Sequence, residues 1–262
     1  MRILYLYQYF GTPRGGWSTR AYEHARRWVR AGHEVCVISS LYDKSDLKAT
    51  GLWSRHQIEG IRVYALNLRL SNKHGFFRRL YSFLAYALGA TLLGSFLRAD
   101  LILASSGPIT VGVPGLLLGR LKRCPLVFEV RDLWPEGAVA LGVLRGALWK
   151  KLAYAFEGQC YRASRLVVTC SEGARQSIVQ RYPDVRVVNI PNASDLDLFR
   201  YRPAAPNGAQ TYRHKTLFVY TGTLGLIDHC VLILEAAAHL RDPHIHILLI
   251  GDGRERRLLQ AF

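Results

Sequence analysis

The sequence predicts an α/β protein on a parallel sheet, followed after a linker by a second α/β segment. Three observations carry this. Apolar runs of strand length alternate with longer segments of helical period, which is the pattern of crossover units covered on both faces. Glycines and acidic residues gather directly after the strands, at what would be the carboxyl edge of the sheet, where open α/β folds collect ligands. The rhythm breaks between Pro191 and Lys215, a stretch holding Pro191, Pro203, Pro206 and Gly208, and then restarts.

The elements follow in order. RILYLY (Arg2–Tyr7) reads as a first strand rather than a signal peptide, because no small-residue cleavage site follows it. Trp17–Ala31 is a helix that Gly32 is placed to end, and Glu34–Ser39 is the next strand. Strands Leu101–Ser105, Leu126–Val130, Leu166–Thr169 and Val185–Ile190 then alternate with helices Thr110–Lys122, Ala147–Ala163 and Glu172–Tyr182. Beyond the linker come strand Thr216–Tyr220, helix Cys230–Leu240, strand Ile245–Ile250 and Gly251-Asp252-Gly253. The resulting division is residues 1–192, a linker over 193–215, and a second domain over 216–262 with too few strands to close its own core.

Composition narrows the partners. The net charge of +16 favours nucleic acid, anionic lipid or phosphorylated substrates, with a merely solubilising charge as the plain alternative. No RNP, helix-turn-helix or KH pattern accompanies it, so nucleic acid is not expected as a partner. The five cysteines sit far apart, form no CxxC pair and have no histidines at ligand spacing, which predicts reduced thiols, a cytosolic compartment and no metal site. Leu80–Leu97 is an uncharged run of 18 residues between Arg78-Arg79 and Arg98. Polar and glycine residues dilute it, so it reads as a buried or membrane-surface helix rather than a span.

Five segments bear on chemistry. FGTPRGG places Gly15 and Gly16 between a strand and a helix N-terminus, where an anion is favoured, yet the spacing is neither GxGxxG nor a P-loop. Glycines in such a turn equally serve backbone geometry. EVRDLWPEG packs Glu129, Arg131, Asp132, Trp134 and Glu136 at the same edge. A carboxylate there can take a proton from a substrate hydroxyl, and Trp134 offers a flat apolar face for a sugar or isoprenoid. The structural alternative makes Asp132 a helix cap and pairs Arg131 with a neighbouring acid. PNASDLDLF reads alone as a turn with an Asx-type cap. YTGTLG and IGDGRE each follow a strand of the second domain and together suit a nucleotide.

These segments, with SSGPITVGVPG, resemble the retaining glycosyltransferases of family 4, and the DLWP block makes the likeness specific. The resemblance implies two Rossmann-like domains of the GT-B fold, a complete N-terminal acceptor domain and an incomplete C-terminal nucleotide-sugar domain. It implies that Gly15 and Gly16 line the site near the reacting sugar. Ser105, Ser106, Gly107, Glu129, Arg131, Trp134 and Asn192 would bind substrate, with Asp132 and Glu136 catalytic. Gly222, Thr223, Gly225, Gly251, Asp252 and Gly253 would meet the donor. The nucleotide sugar is substrate, and no separate cofactor or metal is implied. The branch that builds lipopolysaccharide and other surface polysaccharides is implied, with a polyprenyl-diphosphate-linked or polysaccharide acceptor and an anionic membrane surface as partners. The location implied is cytoplasmic, peripheral to the inner face of the plasma membrane.

Two departures bear on activity. Leu226 and Ile227 stand where the family places basic residues for the donor diphosphate. Its E-x7-E glutamate motif would lie past Phe262, so the chain is expected to be truncated and inactive alone. A non-catalytic remnant that binds acceptor or membrane is the alternative function.

Overall fold

The computed structural model describes residues 1–71, 74–140, 142–196, 200, 212, 214–225 and 228–262. Leu226 and Ile227, and most of the stretch read as a linker, lie outside the described residues. The chain divides into two compact units, Met1–Ala193 and Ser194–Phe262.

The first unit is an eight-stranded sheet. Its strands are β1 (Arg2–Leu6), β2 (Glu34–Tyr42), β3 (Trp53–Ile58), β4 (Ile61–Leu70), β5 (Leu101–Ser106), β6 (Leu126–Val130), β7 (Leu166–Thr169) and β8 (Val187–Asn189). They lie in the order β3-β4-β2-β1-β5-β6-β7-β8, parallel throughout except for the β3–β4 pair. The connecting helices are α1 (Arg20–Arg30), α2 (Phe76–Phe96), α3 (Gly112–Lys122), α4 (Glu136–Ala140), α5 (Ala147–Arg162) and α6 (Glu172–Arg181).

Alternation along β1 shows why the sheet is buried on both faces. Leu4 and Leu6 pack with Ile38, Ile102 and Phe128 against Tyr86 and Ala90 of α2, Leu118 of α3 and Tyr161 of α5. Ile3, Tyr5 and, just past the strand, Tyr7 point the other way, to Ala21, Tyr22 and Ala25 of α1. Helices α1, α3, α4 and α6 each follow a parallel strand, so their N-terminal loops collect at one carboxyl edge.

The β3–β4 hairpin corrects the sequence reading, which placed no strand between Ser39 and Leu101. Its turn is Glu59-Gly60, both at positive φ (46° and 84°), a two-residue connection matched to strand twist. Strand β3 is a polar edge strand, exposed and half-buried by turns, and so lacks the apolar run that marks its neighbours. Helix α1 starts at Arg20 and not at Trp17, because residues 11–19 fold into a loop fastened elsewhere.

Helix α2 takes up the uncharged run. Ser82, Tyr86, Ala87, Ala90 and Gly94 form its buried side, and the Tyr86 hydroxyl donates to the Ile38 carbonyl at 2.8 Å. A Cβ at Gly94 would lie 2.5 Å from Leu118, so the close α2–α3 packing needs glycine there. The opposite side leaves Phe77, Tyr81, Leu84, Leu88 and Leu92 exposed, at helical spacing. No helix among the described residues is long and apolar enough to cross a membrane.

In the second unit β9 (Thr216–Thr223) and β10 (Ile245–Asp252) pair in parallel, with α7 (Val231–Ala238) and α8 (Arg256–Ala261).

Under α5 and α6 lies a buried carboxylate. Glu157 accepts from Tyr161 (2.9 Å), Tyr182 (2.9 Å) and Arg181 (2.6 Å). Replacing it with alanine leaves the Tyr161 hydroxyl and Arg181 Nη1 unmet, while Tyr182 keeps the Tyr154 carbonyl at 3.2 Å. Glu157→Ala is expected to lower unfolding free energy by about 3 kcal/mol in urea titration, whereas Tyr161→Phe costs about 1 kcal/mol.

Candidate functional site

The carboxyl edge of the sheet gathers most of the first unit's site residues. Strand β6 ends in Glu129-Val130 and delivers Glu129 to the interior with 3% of its surface exposed. One carboxylate oxygen accepts from Arg20 Nε at 2.8 Å. The other accepts from Ser105 Oγ at 2.5 Å and Tyr5 OH at 3.4 Å. Burial pushes this carboxyl up, but Ser105, Arg20 and Arg131 outweigh it and hold it below the usual range.

Arg131, two residues on, donates its backbone N–H to Ser106 Oγ at 3.1 Å and its Nη2 to Ser18 Oγ at 3.3 Å. Its guanidinium lies 5.3 Å from the Tyr7 ring centroid. Its Nη1 is buried with no partner among the described residues. Asp132 follows at an exposed position, yet local burial raises its carboxyl against the opposing pull of Arg131. The two carboxyls are therefore driven apart, one held ionised and one moved toward protonation at the same edge.

The remaining positions of the cluster are placed as follows. Ser105 and Ser106 are buried, and a Cβ at Gly107 would meet the Tyr9 ring at 2.4 Å. Trp134 is half-buried. Glu136 opens α4 and turns to α6, where Arg181 lies at 3.6 Å and Ser177 Oγ at 3.4 Å. Asn192 Oδ1 accepts from Arg20 at 3.3 Å.

The opening loop is stitched to residues 43–46. Gly15 donates to the Thr12 carbonyl at 2.9 Å and Gly16 to the Lys44 carbonyl at 2.8 Å, so neither N–H points at a free anion position. Thr12 donates from its backbone N–H and its hydroxyl to Asp46 at 2.9 and 2.6 Å. Burial works to raise the Asp46 carboxyl, and these Thr12 bonds outweigh it and hold it low. At Gly15 a Cβ would stand 2.8 Å from the Lys44 carbonyl oxygen, while at Gly16 it would meet nothing within 4 Å.

In the second unit the glycine-bearing ends, read from the sequence as turns after the strands, are the last rungs of β9 and β10, Gly222 opposite Gly251 and Thr223 opposite Asp252. Their glycines are demanded by mutual approach. A Cβ at Gly251 would sit 1.9 Å from the Gly222 carbonyl oxygen, and one at Gly253 2.2 Å from that of Leu224. Gly225 lies in the turn that follows, its carbonyl accepting from Asp228 at 3.1 Å. Among the described residues no group of three or more His, Cys, Asp or Glu could hold a metal ion.

Sequence reasoning missed Arg20, Tyr5, Ser18 and the loop carrying Lys44 and Asp46. Arg20 reads as one more cation on a helix that also carries Arg26, Arg27 and Arg30. Only its partner at position 129, brought to it by β6, sets it apart.

A doubly covered parallel sheet with a charged cluster at its carboxyl edge is a Rossmann-like frame of the kind that binds ligands at that edge. The chain belongs to the glycosyl transferase 4-like domain family, which it matches over residues 15–193. No curated protein sequence matches it. Among solved structures it is similar to sucrose-phosphate synthase from Thermosynechococcus elongatus, at a TM-score of 0.72 and 15% identity, covering 99% of this chain and 66% of that one. It is also similar to the catalytic domain of Arabidopsis thaliana starch synthase IV bound to ADP and acarbose (TM-score 0.69, 15% identity, 99% and 70% covered). A third is HepE of Anabaena in complex with UDP and glucose (TM-score 0.60, 19% identity, 100% and 64% covered). The chain thus spans about two thirds of the length of these structures.

Gly15→Ala is expected to cost about 1–3 kcal/mol in denaturant titration by forcing the 43–46 loop away. Gly16→Ala should stay within about 0.5 kcal/mol of the parent. Glu129 predicts an acid limb. Its folded pKa lies below the unfolded value of about 4.3, so its contribution is present above that pH and lost as pH falls through the folded value. In stability-versus-pH curves, Glu129→Gln should flatten that limb and lower the plateau at neutral pH.

Proposed function

We propose that this protein moves a sugar from a nucleotide-sugar donor to a lipid-linked or polysaccharide acceptor, with retention of configuration. The observation that carries the reading is the family match over residues 15–193, which spans the acidic cluster Glu129, Asp132 and Glu136 at the carboxyl edge of the sheet. Asp132 is the group suited to orient the acceptor hydroxyl and pass its proton on to the leaving diphosphate, being exposed with its pKa raised. Glu136 stands nearby in sequence as a second acid, its charge shared with Arg181. Ser105, Ser106, Gly107, Arg131, Trp134 and Asn192 border the acceptor, with Gly16 open enough for a sugar to pass close.

On the donor side, Gly222, Thr223, Gly225, Gly251, Asp252 and Gly253 face the diphosphate and nucleoside. Support comes from the paired ends of β9 and β10 and from similar structures that hold UDP or ADP. Transfer with retention then proceeds by same-face attack, the leaving diphosphate accepting the acceptor proton as its bond to the sugar breaks. Stabilisation of that diphosphate matters more than a protein nucleophile. The acceptor class is that of lipopolysaccharide and related surface-polysaccharide synthesis, at the inner face of the plasma membrane.

The outer side of α2 supports the membrane location. Phe77 and Leu88 are 83% and 63% exposed, and Leu117 and Leu121 of the adjoining α3 are exposed as well. Arg78, Arg79, Lys122 and Arg123 flank these apolar residues, the composition of a helix that lies on an anionic leaflet. This face equally supports the second reading, a membrane-surface or acceptor-binding module without turnover.

By itself the purified chain is expected to show little turnover of UDP-, GDP- and ADP-sugars, because Leu226 and Ile227 offer the donor diphosphate no charge. Measurable release or transfer of sugar would rule out the binding module, and Asp132→Asn should then lower that rate about 10²–10⁴-fold without changing the melting temperature. In liposome sedimentation, binding should require anionic lipid and weaken more than tenfold in Leu84→Glu/Leu88→Glu. Equal binding to neutral vesicles would count against the membrane face.

A further inference from the structure

Strand β8 is only three residues long, and the last bond that ties its chain to the sheet runs from the Ile190 N–H to the Thr169 carbonyl, at 2.9 Å. Past that point the sheet offers no further ladder partner, and the chain leaves the first unit through Ile190, Pro191 and Asn192. One side chain from the opposite end of the sequence takes over. Arg20 donates from Nη2 to the Ile190 carbonyl at 2.9 Å. Its Nη1 donates to the Pro191 carbonyl at 3.0 Å and to Asn192 Oδ1 at 3.3 Å. Its Nε donates to Glu129 at 2.8 Å.

We propose that Arg20 is a positioning residue, a clasp that fixes the exit segment Ile190–Asn192 to the buried Glu129 carboxylate at the edge of the site. Three features argue for it. The guanidinium side chain is 8% exposed and its carboxylate partner 4%, so the pair is shielded from solvent and held in one geometry. Its planar fork meets four acceptors that lie in two directions, which an ammonium on a flexible stem cannot copy. Both oxygens of Glu129 are already taken, by Arg20 on one side and by Ser105 and Tyr5 on the other, so that carboxylate holds Arg20 rather than substrate.

The consequence rests on the glycosyltransferase reading above. Arg20 sits one residue after Thr19 and two after Ser18, whose hydroxyl meets Arg131. The clasp therefore joins the loop that carries acceptor-side groups to the residues from which the chain departs. Loosening it should slow turnover while leaving donor affinity, which depends on the second unit, unchanged.

Amide hydrogen exchange on the full chain tests the clasp directly. In Arg20→Lys and Asn192→Ala, protection of the Ile190 amide should drop at least tenfold for Arg20→Lys and by less for Asn192→Ala. The interior amides of β1 and β5 should exchange as in the parent. Unchanged Ile190 protection in Arg20→Lys would overturn the proposal, and so would a uniform loss across the sheet, which marks a general structural role. Both variants keep a hydrogen-bonding side chain or alter only an exposed residue, so folding is preserved for the comparison. Where the parent turns over a donor, Arg20→Lys should lower kcat about tenfold with the donor Kd unchanged; an unchanged kcat would overturn the positioning role. In a parent without turnover the clasp stands or falls on exchange at Ile190.

Discussion

An ionised carboxylate taken out of water costs several kcal/mol unless donors meet it, and Glu129 is that carboxylate at the end of β6. Three elements are bound by this cost. Strand β5 supplies Ser105, strand β1 supplies Tyr5, and α1 supplies Arg20. Each arrives because parallel strands stop at a common edge, so residues about 24, 109 and 124 positions away in sequence reach one point. The two charges neutralise each other, and their hydrogen bonds leave neither side chain searching for water.

That arrangement frees its neighbours for other work. With Glu129 held ionised, Arg131 is balanced and can lie over Tyr7. Asp132, one step further out, has no close donor among the described residues, so burial prevails there and its carboxyl shifts the other way. Glu136, four residues later, is drawn to Arg181 on α6, whose second partner is the fully buried Glu157. A run of acids that is uniform in sequence thus divides into three environments.

Glycine plays two different parts. At Gly15, Gly107, Gly251 and Gly253 a side chain would collide with a ring or a carbonyl oxygen, so the residue answers to packing. At Gly16 nothing stands within 4 Å and the φ is ordinary, so packing gives no reason for it. Adjacent letters in FGTPRGG therefore report different constraints, and only the surroundings tell them apart.

Periodicity made the parallel strands and most helices legible, because a strand buried on both faces must be almost wholly apolar. Strand β6 and β7 fall where LVFEV and LVVT place them. The EVRDLWPEG cluster was legible too, since nothing in a turn requires such a density of charge. The β3–β4 hairpin was not read: WSRHQI is a polar edge strand without an apolar run, and the apolar IRVYALNLRL beside it was passed over as well. Nor was the role of Arg20, whose identity within a basic helix is set by a residue 109 positions away. The sequence by itself determined six of the eight strands, the carboxyl edge they share and the EVRDLWPEG cluster placed there. Only the tertiary structure decided which of those charges pair, because pairing depends on distances between strands that are remote along the chain.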